Sequence, residues 1–244
     1  MRLTPMHNPL RTLVFAVLLA GANPQPGRGQ PADATLAATQ RDLLAGAPTR
    51  SFTAAGVPGD PLNIAFVGSE EELQRAMAAA RWMPADPITF RSSLRITLDS
   101  LVRRAYAEAP VSSLYVEGRK QDLAFEQPAA SNPSRRHHVR FWRLSHPGAS
   151  ATPTESLWVG AATYDARIGL SRVNRHLTHH IAADIDEERD KLLDDLRTGG
   201  GIGIGWIEGF QPEREGRNGG GDAFHTDGRL ALVSVLAPVG VPGR

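Results

Sequence analysis

From Val111 onward the apolar residues recur in short runs punctuated by turn residues, and this pattern restricts the possible fold more than any other feature of the chain. Leu114–Glu117, Leu123–Glu126, His138–Leu144, Leu157–Thr163 and Ile168–Ser171 are each short, apolar and suited to strands. Antiparallel pairing joins such runs most simply, because it needs only tight turns between neighbours. Ile202–Phe210 and Arg229–Leu236 predict two last strands, joined by a Gly-rich excursion, Glu213–Asp222, that reads as mobile.

Helical spacing appears in three places. Ser69 and Glu72 form a capping box after the apolar strand Leu62–Val67, and Leu73, Ala76, Met77 and Ala80 then fall on one helical face. Strand, tight turn and helix is also the order of a phosphate-binding loop, but Glu70, Glu71 and Glu72 fill the first turn and would repel an anion. A second amphipathic helix is expected over Ser92–Glu108, carrying Leu94, Leu98, Leu101, Val102 and Ala105. The third starts near Asp184 or Asp186, turns Leu192, Leu193 and Leu196 inward and stops at Gly199-Gly200-Gly201. The expected fold class is therefore α+β, a mostly antiparallel sheet packed against about three helices.

Residues 1–22 read as a secretory signal: Arg2, His7 and Arg11 precede the apolar run Leu13–Ala20 and the small residues Ala20-Gly21-Ala22. Residues 23–56, rich in Pro and Gly, read as a flexible lead-in, and 57–238 as the folded domain. Downstream of the signal no apolar run reaches the length of about 20 residues that a bilayer demands, so no transmembrane span is expected in the mature chain. An exported protein, periplasmic or secreted, is the consequence. Its chain has no cysteine, which excludes a lipid-anchored cysteine, a disulfide framework and thiol catalysis. Loss of Arg2 and Arg11 lowers the basic residues from 27 to 25 against 26 acidic ones. No basic field remains to attract nucleic acid.

Two histidine doublets carry the candidate chemistry: Arg136-His137-His138-Val139-Arg140-Phe141-Trp142, and Thr178-His179-His180-Ile181 running into Asp184 and Asp186. On a strand, neighbours point to opposite faces, so one imidazole of each doublet is available to any single site. His138 shares its face with Arg140 and Trp142, the more polar side. A metal reading joins His138, His179 or His180, and Asp184 or Asp186 around a divalent ion such as zinc, with His138, His179 and Asp186 as the chosen set. A metal-free reading makes His138 and His180 general acid and base, with Arg140 or Arg136 gripping a phosphate or carboxylate. In the third reading Arg140, Asp165, Asp186 and the histidines form a satisfied polar network joining sheet to helix.

Gly59-Asp60-Pro61-Leu62-Asn63, Val67-Gly68-Ser69, Arg91-Ser92-Ser93-Leu94-Arg95, Ala109-Pro110-Val111-Ser112, the segment Gly118–Glu126, Arg136–Trp142, Leu157–Asp165 and Thr178–Asp186 together resemble the LssY C-terminal domain family. The resemblance runs in order over roughly Val57–Leu196. It implies an envelope or export context, because larger members look to carry this domain beside multi-helix membrane parts of the lipid-phosphatase and DedA types. It names no catalytic residue. The function expected from the whole is an exported cell-envelope accessory or binding module, whose partners are envelope or secretion proteins or lipid-derived ligands. The alternative is a periplasmic metal- or His-dependent hydrolase of phosphate esters.

Overall fold

A computed structural model describes residues 42–85, 113–129, 135–145, 156–170 and 177–235. The expected signal segment and the expected helix at 92–108 lie outside the described residues. Within them 47% of residues are strand and 19% helical, with two helices. The expectation of an α+β fold with about three helices is thus corrected to a mostly β architecture.

The elements follow the chain as β1 (Arg50–Thr53), β2 (Pro58–Pro61), β3 (Ile64–Val67), α1 (Glu70–Ala79), β4 (Met83–Pro84), β5 (Leu114–Val116), β6 (Arg119–Lys120) and β7 (Leu123–Pro128). Then come β8 (Arg136–Arg143), β9 (Leu157–Leu170), β10 (Leu177–Ile181), α2 (Ile185–Gly199), β11 (Ile202–Ile207), β12 (Glu215–Arg217), β13 (Ala223–His225) and β14 (Leu230–Val235). An eight-stranded sheet runs β11-β14-β3-β9-β8-β7-β4, with β10 also paired to β9. A four-stranded sheet runs β2-β1-β5-β6, and β12 pairs β13. Pairing within the large sheet is antiparallel except between β14 and β3.

The additional strands explain the shift in class. β2 is Pro-Gly-Asp-Pro and β4 is Met-Pro, and both sit at sheet edges, where a missing N–H costs no ladder bond. Such segments carry no alternating signature, and distant partners order them. Leu44 is buried and β1 is a paired strand, so the packed unit takes in part of the stretch expected to be a lead-in through Gly56. The excursion expected to be mobile holds β12 and reaches the buried Asp222 just before β13.

Both helices lie on one face of the large sheet. The capping box of α1 is formed as expected, Ser69 accepting from the Glu72 amide while Glu72 accepts from the Ser69 amide. Asp184 caps α2 by accepting from the amides of Asp186 and Glu187, and Gly200, at φ 79°, ends it. Leu73 and Met77 of α1 and Leu192, Leu193 and Leu196 of α2 pack with Phe66, Phe125, Val139, Phe141, Trp158 and Val233 of the sheet. On the opposite face Trp142, Val159, Ala161 and Leu232 meet Leu44, Leu62, Leu114 and Val116. The large sheet is therefore the middle of three layers.

Two small features hold the middle layer. Asn63 donates through Nδ2 to the carbonyls of Ala162 and Ile185 and accepts at Oδ1 from the Ala162 amide, tying β3 to β9 and to the start of α2. Gly160 faces Phe141, and a Cβ there would lie 2.8 Å from its ring and 2.9 Å from Ile64 Cγ2. Both neighbours are buried and cannot withdraw, so Gly160→Ala is expected to lower stability by about 1–3 kcal/mol. Urea denaturation of the variant beside the parent chain measures this.

Candidate histidine and arginine site

Strand register brings the two doublets to either side of one strand. β8 pairs β9 with His138 opposite Thr163 and Arg136 opposite Asp165, while β10 pairs the C-terminal half of β9 with His180 opposite Arg167 and Ile181 opposite Asp165. The ladder is irregular between His180 and Ile181. Alternation on β8 sorts the first doublet as expected. His137 turns to the helical layer with Val139 and Phe141, and His138 turns to the other face with Arg136, Arg140 and Trp142.

Each of the expected acid–base residues has an aspartate beside it. His138 Nε2 lies 2.9 Å from Asp165 Oδ1, and the Thr163 hydroxyl is 3.2 Å from the His138 Nδ1. His180 Nδ1 lies 2.5 Å from Asp222 Oδ1. Arg140 has Asp60 Oδ2 at 3.6 Å. The last two pairs are joined, because Asn218 donates to Asp60 Oδ1 and accepts from the Asp222 amide. A polar path therefore links Arg140 to His180 through Asp60, Asn218 and Asp222. Gly169 makes room at its end, since a Cβ there would fall 2.9 Å from His180 Nε2.

Beside His138, Arg136 donates to Glu126 at 2.9 Å, both side chains being nearly enclosed. Burial pushes the Asp165 carboxyl up to about 8, against the pull of the Arg140 and Arg136 guanidinium groups. On the other face His137 Nδ1 meets Glu188 Oε2 at 2.7 Å, with the His137 ring 4.7 Å from that of Tyr164. Burial raises the Glu188 carboxyl too, and its hydrogen bond to His137 opposes that rise.

Of the expected metal set, the side chains of His138 and Asp186 are among the described residues. Asp186 stands at the start of α2, where its Oδ1 accepts from Arg189 and from the Thr226 hydroxyl and its Oδ2 from the Asp227 amide. The backbone of His179 pairs with Ile168, and its side chain lies outside the described residues. Among the described residues no group of three or more histidine and acidic side chains is arranged to hold a metal ion. His225 is exposed on β13, with Asp184 at 3.4 Å.

Sequence reasoning found the basic members and missed most of their partners. Asp60, Glu126, Asn218, Asp222 and Glu188 come from five different segments and share no spacing that marks them. Asp60 and Glu126 lay in segments singled out for another reason, Gly59-Asp60-Pro61 and Gly118–Glu126. Of the tryptophans, Trp82, Trp142 and Trp158 are core residues, and Trp206 sits under the guanidinium groups of Arg189 and Arg229.

Compared with protein families, the sequence matches the LssY C-terminus family over residues 44–230, most of its length. The chain belongs to the LssY C-terminal family. The match begins at Leu44, the first buried residue of the second core, and ends at Leu230, the first residue of β14. In this LssY C-terminal domain Leu157–Asp165 and Arg136–Trp142 lie in the central strands β9 and β8. Searches of curated proteins and of solved structures find no match. No helix among the described residues of the LssY C-terminal domain is long and apolar enough to cross a membrane.

Proposed function

We propose that this chain is an exported accessory module of the cell envelope that binds a ligand or partner without turning it over. One observation carries the reading: the imidazoles expected to do acid–base chemistry are enclosed, with side chains 7% (His138) and 4% (His180) exposed, and each is held by an aspartate inside the fold. A general acid or base must come within hydrogen-bond reach of the substrate. Rings fixed this way act first as cross-links between strands and loops. Membership of the LssY C-terminal family and the signal-like segment at 1–22 support an envelope location. Envelope or secretion proteins and lipid-derived ligands are the partners this reading implies.

Two measurements test it. Expression of the full chain in a Gram-negative host, followed by fractionation and intact-mass analysis, is expected to place a form cleaved after Ala22 outside the cytoplasm. The purified protein is expected to show no hydrolysis of p-nitrophenyl phosphate above buffer. Turnover that disappears in His138→Ala would establish the phosphate-ester hydrolase instead. A stoichiometric metal lost in the same variant would establish the metal site.

A further inference from the structure

We infer that the β1–β2 hairpin and the outward face of the four-stranded sheet form a docking strip for a membrane surface that carries anionic headgroups. The strip gives the binding reading above one definite partner and rests on it.

Alternation and register assemble the strip. Leu114 and Val116 of β5 point into the core shared with the large sheet, so Tyr115 between them points outward. Phe52 is paired with Tyr115 on one side and with Pro58 on the other, and Lys120 stands opposite Tyr115. One cross-strand row, Pro58-Phe52-Tyr115-Lys120, therefore crosses the sheet on the face turned away from the large sheet. Phe52 is 41% exposed and Val57, next to Pro58, is 43% exposed. Of the large apolar side chains that stand exposed among the described residues, these two share one hairpin.

The tip of that hairpin suits an apolar medium. Residues 51–58 include no charged side chain, and Ala54, Ala55, Gly56, Val57 and Pro58 are all exposed. Its backbone needs little water, because the Thr53 amide donates to the Val57 carbonyl, the Gly56 amide to the Thr53 carbonyl and the Val57 amide to the Thr53 hydroxyl. Backbone groups already bonded inside a turn lose little when water is withdrawn. At the other end of the row the charge is positive. Arg119 and Lys120 are exposed, and among the described residues Lys120 has no ion-pair partner. The acids beside them are engaged, Asp122 with Arg119 and the Arg143 amide and Glu117 with the Ser145 amide. An apolar tip at the headgroup boundary, with a lysine set back among the phosphates, is the arrangement by which a folded domain rests on an anionic bilayer. A stable protein partner would require roughly 800 Å² from each side, whereas this strip is one hairpin tip and a single row of side chains.

The test sediments the exported form of the chain with phosphatidylcholine vesicles, alone or mixed with phosphatidylglycerol. Capture is expected on the mixed vesicles, weaker on phosphatidylcholine and reduced by salt. Phe52→Ser combined with Val57→Ser should lower the partition coefficient by about tenfold or more. Lys120→Gln should lower it about fivefold. Substitutions at exposed positions leave folding intact, which matching urea midpoints verify. Because the chain has no cysteine, a polarity-sensitive dye on Ala55→Cys reports the tip alone. Its emission is expected to shift to the blue on mixed vesicles, while the same dye on Asp194→Cys, exposed on α2 beyond the large sheet, stays unchanged.

The strip is overturned if the parent is not captured, if capture is undiminished in the variants, or if the dye responds at Asp194→Cys and not at Ala55→Cys. Absent capture together with a dimer that dissociates when Phe52 and Val57 are replaced assigns the strip to a second copy instead. Hydrolysis of p-nitrophenyl phosphate would overturn the binding-only reading and leave the membrane affinity in place, so the two failures are distinguishable.

Discussion

Replacing Arg189 with alanine is expected to lower folding stability by about 3–5 kcal/mol, the largest loss from any single truncation in the helical layer. The side chain is completely enclosed although it is charged. It grips Asp227 with two nitrogens, at 2.9 and 3.1 Å, and also donates to Asp186 and Asp190 and to the Arg229 carbonyl. Its guanidinium stacks on Trp206 at 4.8 Å, and Arg229 lies over the same ring at 4.4 Å. One residue on α2 thus clasps the turn before β14 and the edge strand β11.

Alanine removes all of this and leaves carboxylates gathered around a void. Urea titration followed by tryptophan fluorescence measures the loss. Arg189→Lys is expected to lose less, because a point charge remains and the bidentate geometry does not. Arg189→Met combined with Asp227→Asn should recover part of the deficit, since both partners are then neutral. If Arg189→Ala unfolds within about 1 kcal/mol of the parent, the clasp is a surface decoration.

The same clasp has a sign in pH. Burial works against ionisation of Asp227, but hydrogen bonds from Arg189 and Arg229 prevail and hold its carboxyl below the usual aspartate range. A lowered carboxyl favours the folded state while it is ionised. Its contribution is present above the ordinary aspartate range and disappears as the solution is acidified through the lowered value. Without Arg189 this acid sensitivity should largely disappear.

How much of this was legible in the residues depends on whether a local pattern existed to be read. Ser69 and Glu72 announce α1 because capping is a three-residue affair, and Asp184 with Gly199-Gly200-Gly201 brackets α2 for the same reason. Period-two alternation on β8 was enough to put His137 and His138 on opposite faces. The sequence pattern marks two runs, Leu157–Thr163 and Ile168–Ser171, yet β9 continues through Tyr164-Asp165-Ala166-Arg167 because β8 and β10 pair it on both sides of that stretch. β10 itself, Leu-Thr-His-His-Ile, looked like a ligand cluster and is a strand because β9 pairs with it. Polar strands of this kind owe their form to distant partners, and no window of sequence contains those.

The site shows the same division. Arg136, His138, Arg140 and His180 were conspicuous by type and spacing. Asp60 and Asp222 were not, because each sits beside Gly or Pro in segments that read as loops, and only the folded chain sets them against a basic partner. The polar-network reading, which included Arg140 and Asp165, comes closest to the geometry. It placed Asp186 in the same network, whereas Asp186 works with Arg189 and Asp227 in the clasp.

Asp165→Asn is expected to change how stability depends on pH. Asp165 is fully enclosed, and burial raises its carboxyl from 3.8 to about 8, with Arg140 and Arg136 pulling the other way. The folded state therefore prefers the protonated acid. For a group raised on folding, its favourable contribution is complete below the unfolded value near 4 and is lost as pH climbs through about 8. At about one decade of binding per unit, the loss across that window is on the order of 5 kcal/mol, a large share of a domain's total stability. Asparagine copies the shape of the protonated acid and can still donate to His138 Nε2, so it should match the parent near pH 4, draw ahead of it steadily as pH rises, and hold a constant lead above about pH 8. Denaturation of both proteins at intervals from about pH 5 to about pH 9 traces the two curves. Curves that stay parallel, with the variant weaker throughout, would mean that Asp165 is ionised against a protonated His138. The pair would then be a buried salt bridge.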